Sequence, residues 1–265
     1  MGEVIVITSG KGGVGKTTAT ANIGTALAFN GKKVVLVDAD IGLRNLDVVM
    51  GLENRIVYDV VDVVEGTCRL RQALIKDKRY PDLFLLPAAQ TRDKNAVSPS
   101  QIQELCEKLK QEFDYVIIDC PAGIEQGFRN AIAGADSAIV VTTPEISAVR
   151  DADRIIGLLE AAELPNPRLV VNRVRLEMVK KGDMMNTDDM IDILAIDLLG
   201  VVPDDESIVV STNRGEPAVG DAKSMAGRAF NNIALRVMGN DVPFMDLEVE
   251  EGFIVKLLKL IGSRK

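Results

Sequence analysis

Residues 10–17, Gly10-Lys11-Gly12-Gly13-Val14-Gly15-Lys16-Thr17, match G-x-x-x-x-G-K-[ST] at every fixed position. A run this rich in glycine reads as a loop rather than as part of a strand or helix. Ahead of it, residues 4–8 are apolar and β-branched; behind it, residues 17–30 have a helical composition. Strand, glycine loop and helix in that order let backbone N–H groups wrap a phosphate, and the helix N-terminus adds the positive end of its dipole. The expected ligand is a nucleoside triphosphate held by Gly10, Lys11, Gly12, Gly13, Val14, Gly15, Lys16, Thr17 and Thr18. In that reading Lys16 reaches the β- and γ-phosphates and the Thr17 hydroxyl binds Mg²⁺.

The same alternation continues along the chain. Residues 33–38, 83–87, 116–119, 138–142, 169–172 and 199–202 read as further strands. Residues 99–113, 127–133, 148–162 and 188–196 read as helices. The strands are continuous apolar runs rather than period-two alternations, the signature of strands buried on both faces. The expected fold class is therefore α/β, a mostly parallel sheet with helices on both faces and right-handed crossovers. A chain of 265 residues, 47% hydrophobic and 26% charged, can build the core such a fold needs. No Pro-, Gly- or Ser-rich linker divides it, so residues 1–247 form the expected catalytic domain and residues 248–265 a linker and terminal helix.

Composition removes several function classes. There is no histidine, which excludes a Ser–His–Asp triad, a His-ligated zinc and a histidine general base. Cys68, Cys106 and Cys120 lie far apart without a CxxC pair, which fits a reducing cytoplasm better than a disulfide framework. Cys120 reads as a buried small residue, since nothing is present to activate it. A net charge of −8 argues against bulk nucleic-acid binding. The first eight residues show no charged leader and no apolar region behind one, so no signal peptide is expected.

Two strands end in acids. Val37-Asp38-Ala39-Asp40 closes one and Ile118-Asp119 another. Ligands of open α/β sheets bind beyond the carboxyl ends of the strands, so these acids should face the phosphate loop, with Asp119 holding Mg²⁺. Asp40 is the best candidate on chemistry to position the attacking water, because no histidine exists and no glutamate base is obvious beside either strand. The turn Asp119-Cys120-Pro121-Ala122-Gly123 has a composition that can move with the γ-phosphate. Asn172-Arg173 and Pro203-Asp204 stand at two further strand ends.

The last thirteen residues contain Lys256, Lys259, Arg264 and Lys265 and no acid, so the rest of the chain carries −12 against −8 overall. Phe253, Ile254, Leu257, Leu258, Leu260 and Ile261 fall within an arc of roughly 160° at about 100° per residue, with Lys256 and Lys259 opposite. A short basic amphipathic helix of this kind can lie in an anionic membrane interface.

Lys11, the second lysine of KGGVGKT, makes the loop resemble the deviant Walker A box of the MinD/ParA family of ATPases. VDADIGLRNLDVVMGLENR, DYVIIDCPAGIE, VVNR, NRGEPAV and the basic tail extend the resemblance nearly end to end, towards the septum site-determining branch. The resemblance implies a P-loop NTPase of the nitrogenase-iron-protein-like class that hydrolyses ATP with Mg²⁺. It implies that Lys11 crosses to the nucleotide of a second subunit, that Asp38 supports the magnesium shell and that Asp40 orients the attacking water. It places the adenine between Asn172, Arg173 and Pro203, Asp204. It further implies an ATP-bound homodimer, recruitment of the division inhibitor MinC, and stimulation by MinE or another topological factor. The implied location is the cytoplasm and the inner membrane surface. Residues 149–154 are read as opening a helix, and the resemblance implies that Asp151 or Asp153 on it contacts a partner. A ParA-type partition ATPase and a flagellar-number regulator of the same family are the alternative readings, and a metal-cluster carrier would need cysteines meeting at a dimer axis.

Overall fold

In the computed structural model, residues 1–93 and 95–247 are described; residues 248–265, which contain the expected linker and amphipathic helix, lie outside the described residues. Eight strands build a sheet: β1 (Glu3–Thr8), β2 (Val34–Asp38), β3 (Ile75–Lys76), β4 (Leu83–Leu86), β5 (Tyr115–Asp119), β6 (Ser137–Thr142), β7 (Arg168–Val174) and β8 (Asp197–Pro203). Their order is β3-β4-β2-β5-β1-β6-β7-β8. Every pairing is parallel except β3 with β4. The expected parallel sheet is thus present, with one short antiparallel strand added at an edge. Two-residue β3 has no periodicity for a sequence reading to find.

Helices α1 (Lys16–Phe29), α2 (Leu46–Met50), α3 (Val60–Val64), α4 (Leu70–Ala73), α5 (Pro99–Lys110) and α6 (Gln126–Ile132) alternate with the first strands. After them come α7 (Ile146–Ala161), α8 (Leu176–Lys181), α9 (Thr187–Leu194), α10 (Ser207–Asn213) and α11 (Met225–Val237). In β1, Val4 and Val6 face the layer that holds α5, α6 and α7, whereas Ile5 and Ile7 face α1 and α11. Both faces are dry, which is why these strands are uninterrupted apolar runs.

Local signals explain where the helices begin and end. Ser98 accepts from Gln101 N–H, the Gln101 side chain accepts from Ser98 N–H, and Pro99 takes the first helical position of α5. That helix closes at Lys110 rather than at 113, because Glu112 and Phe113 both donate back to the Leu109 carbonyl. Phe113 turns inward to meet Phe84 edge-on at 5.3 Å between ring centroids. Helix α11 starts where the Ser224 hydroxyl accepts from Gly227 N–H. It seats the fully buried Phe230, whose burial contributes about 2–3 kcal/mol. No described helix is long and apolar enough to cross a membrane.

Candidate nucleotide and magnesium site

Sheet order brings the site together. β1 lies between β5 and β6, and Asp38 of β2 is in register with Asp119 of β5. The carboxyl ends of β2, β5 and β1 therefore open beside the glycine loop that joins β1 to α1. Gly15, in the left-handed region at φ 99°, caps α1. A Cβ there would stand 2.3 Å from Asn172 Nδ2, so only glycine admits this approach. At Gly10 a Cβ would meet the Asp151 carbonyl oxygen at 2.1 Å, because the backbone of α7 rests directly on the loop. Lys16 is buried, and its Nζ donates to Ser9 Oγ at 3.0 Å; that hydroxyl in turn donates to the Lys11 carbonyl at 2.8 Å. Lys11 itself reaches outward from the loop, donating to Ser147 Oγ at 3.1 Å and lying 3.8 Å from Glu145.

Asp38 is buried and accepts from the N–H groups of Asp40, Asn45 and Leu46 at 2.9, 3.3 and 3.2 Å. Burial, reinforced by the neighbouring Asp119, nevertheless raises its carboxyl to about 7. Asp119 is likewise raised by burial to about 6, against the opposing pull of the Thr17 hydroxyl, the Lys16 ammonium and the Thr20 hydroxyl. Thr20 Oγ1 donates to Asp119 Oδ1 at 3.2 Å. Two buried carboxylates in one register, beside the Thr17 hydroxyl, suit a divalent cation that completes its shell with phosphate oxygens and water. Among the described residues no group of three or more His, Cys, Asp or Glu would hold a metal unaided.

In the cation-free fold both carboxylates keep protons that an unfolded aspartate, near 3.8, has already released. Their contribution to stability is complete below about pH 4 and is lost as pH rises through about 6 to 7. Binding of Mg²⁺ with nucleotide requires the ionised forms, so it strengthens over the same window and releases protons. Calorimetric titration at pH 6.5 in two buffers of different ionisation enthalpy should give binding heats that differ by the released protons. Identical heats would contradict the assignment.

The half-buried Asp40 lies just beyond β2 and shares an apolar cavity wall with Glu125, Pro121 and Phe128. On the other side of the loop a cleft of about 240 Å³ is lined by Gly15, Thr18, Asn172, Arg173, Pro203 and Asp204, with Phe230 among its deeper residues. The expected base-flanking segments are therefore brought together, next to the loop. Asn172 is buried and donates its amide to the Val14 carbonyl at 2.8 Å, which ties this cleft to the glycine loop.

A family model described as an AAA domain matches residues 2–171. The septum site-determining protein MinD of Bacillus subtilis (strain 168) is 63% identical over 267 residues, covering 100% of both chains. The chain belongs to the MinD/ParA family of P-loop ATPases. Solved MinD/ParA structures agree with the fold. One titled as the MinC:MinD cell division protein complex of Aquifex aeolicus aligns with a TM-score of 0.86 at 51% identity, covering 92% of this chain and 98% of that one. The Pyrococcus horikoshii protein, titled as MinD complexed with Mg-ADP, aligns with a TM-score of 0.82 at 32% identity, covering 89% and 96%.

Within this MinD/ParA site several residues escaped the sequence reading. Ser9, which holds Lys16, carries no motif of its own. Thr20 lies one helical turn after Thr17, so helical spacing from the motif would have found it. Glu125 is close to the Asp40 cavity although it follows neither acid-bearing strand directly. Cys120 is buried, with its thiol pushed up to about 12 by that burial, in keeping with a packing role. Residues 149–154 do not open their helix: α7 already begins at Ile146. Asp151 is half-buried over the loop, and Asp153 is the more exposed of the pair. The expected membrane residues Phe253, Ile254, Lys256, Leu257, Leu258, Lys259 and Ile261 lie outside the described residues.

Proposed function

We propose that this chain is an ATP-driven regulator of the cell-division site that cycles between the cytoplasm and the inner membrane. Its full-length likeness to septum site-determining relatives carries this reading. With ATP it pairs face to face, attaches to an anionic membrane through residues 253–265 and recruits MinC, as the solved MinC:MinD relative suggests. MinE or another topological factor then stimulates hydrolysis and returns single chains to the cytoplasm. Asp151 or the exposed Asp153 contributes to the partner surface.

In this account the loop N–H groups and Lys16 bind the β- and γ-phosphates, and Thr17, Asp38 and Asp119 hold Mg²⁺, which neutralises phosphate charge when bound. Asn172, Arg173, Pro203 and Asp204 flank the adenine. Asp40 orients the attacking water, and Lys11 reaches the phosphates of the second subunit, as an arginine finger does in trans. One short amphipathic helix binds a membrane weakly and reversibly, whereas two joined in a dimer gain from effective concentration. Nucleotide state thereby sets membrane occupancy through oligomeric state.

Asp40→Ala should bind Mg-ATP and dimerise normally while phosphate release slows by about a hundredfold or more, the usual range for losing a positioned acid–base group. A phosphate-release rate equal to wild type would move the water-positioning role to another side chain.

A further inference from the structure

Beyond α11 the chain is fastened down rather than released. Arg236 donates from Nε to the Val242 carbonyl at 3.0 Å, from Nη2 to the Pro243 carbonyl at 2.9 Å and from Nη1 to the Leu199 carbonyl of β8 at 2.9 Å. Its guanidinium also lies 4.2 Å from the Phe244 ring centroid. Four contacts from one side chain thus hold residues 242–244 to β8. Three residues later Leu247 is buried, with 7% exposure.

Leu247 forms part of the wall of a cleft of about 420 Å³. Val174, Leu176, Pro203 and Met225 supply its apolar surface. Its charged rim is mainly acidic: Glu177, Asp204, Asp205 and Glu206 stand against Arg175 and Lys223, and Arg175 is already paired with Asp204. An apolar floor with an acidic rim complements one part of this chain in particular. Residues 253–265 combine an apolar arc with four basic side chains and no acid. Only five residues lie between Leu247 and Phe253, a span of about 20 Å at most, so the segment cannot avoid a high effective concentration at the cleft.

We propose that this cleft holds apolar side chains of the chain's own segment 253–265 when no membrane is available. The inference deepens the proposed membrane switch and rests on its reading of that segment as amphipathic. Docking would keep the apolar arc out of water in the single chain, and a membrane would compete with the cleft for it. Pro203, Asp204 and Asp205 line both this cleft and the expected adenine cleft, so the two sites share one loop.

The chain contains no tryptophan, so Phe253→Trp in the full-length protein is a unique reporter. In lipid-free buffer with ADP, its emission should be blue-shifted and its quenching by acrylamide several-fold weaker than for a free indole. Adding Glu177→Lys and Glu206→Lys, both exposed, should return emission and quenching to solvent values while nucleotide binding persists. Adding Met225→Asp instead should do the same by spoiling the apolar floor. Solvent-like emission in the Phe253→Trp protein itself would overturn the proposal, as would an unchanged blue shift in both cleft variants. A blue shift that disappears on dilution would assign the segment to a second copy's cleft and also overturn it. Phosphatidylglycerol vesicles with ATP test the membrane reading separately: absence of vesicle binding would remove that reading while leaving intramolecular docking to the fluorescence result.

Discussion

Lys16→Ala is expected to fold normally and yet fail to dimerise when Mg-ATP is added. Alanine suits the first turn of α1, so the helix and its packing survive. The loss falls on the phosphates. Lys16 Nζ is held by Ser9 beside the glycine loop and is the main cationic side chain that the loop offers from within the same chain. Removing a charge-assisted contact of this kind costs about 2–3 kcal/mol, on the order of a hundredfold in Kd. Dimerisation that depends on bound triphosphate should then disappear at ordinary ATP concentrations. Light scattering should report single chains with and without ATP, and a wild-type ATP-driven dimer would contradict the phosphate assignment.

Lys11→Ala should separate binding from hydrolysis. Unlike Lys16, Lys11 faces outward and spends its charge on Ser147 and Glu145 at the start of α7. Both members of the Lys11–Glu145 pair are substantially exposed, so exchanging that contact for a phosphate on another subunit sacrifices well under about 1 kcal/mol. The variant should bind ATP with near wild-type affinity, while stimulated turnover falls by about a thousandfold, the scale of losing a charge supplied in trans. Turnover that an activator still raises as in wild type would exclude the intersubunit role.

The parts of this account legible in the sequence are those that use a long signal. Strands β1, β2, β5 and β6 are uninterrupted apolar runs, and their observed bounds fall within a residue of the expected ones. The acids at their ends and the glycine loop follow from the same runs. Helix α11 is not among the expected helices, although Ala226, Ala229, Phe230, Ile233, Ala234 and Val237 are all buried at helical spacing. It lacks a motif, and so the residue flooring the expected adenine cleft, Phe230, went unassigned. Contacts made through backbone geometry leave no residue-type signal at all. The approach of Asp151 to Gly10 and the tie from Asn172 to Val14 depend on how α7 and β7 meet the loop, which only the assembled sheet determines. Short elements such as α2, α3 and α4 span about one turn each and are fixed by their neighbours rather than by periodicity.

In the proposed switch, nucleotide state controls membrane attachment through dimerisation of a weakly binding tail. Sedimentation with anionic liposomes tests it most directly, using the full chain and a chain ending at residue 252, each with ADP or ATP. The full chain should pellet with ATP and remain in the supernatant with ADP, and the shortened chain should stay soluble in both while still dimerising with ATP. A single acyl-like anchor supports an affinity of only about 10⁴ M⁻¹, so one tail alone should be insufficient. Equal pelleting of the full chain with ADP and ATP would contradict the dimer switch, even if residues 253–265 do touch lipid.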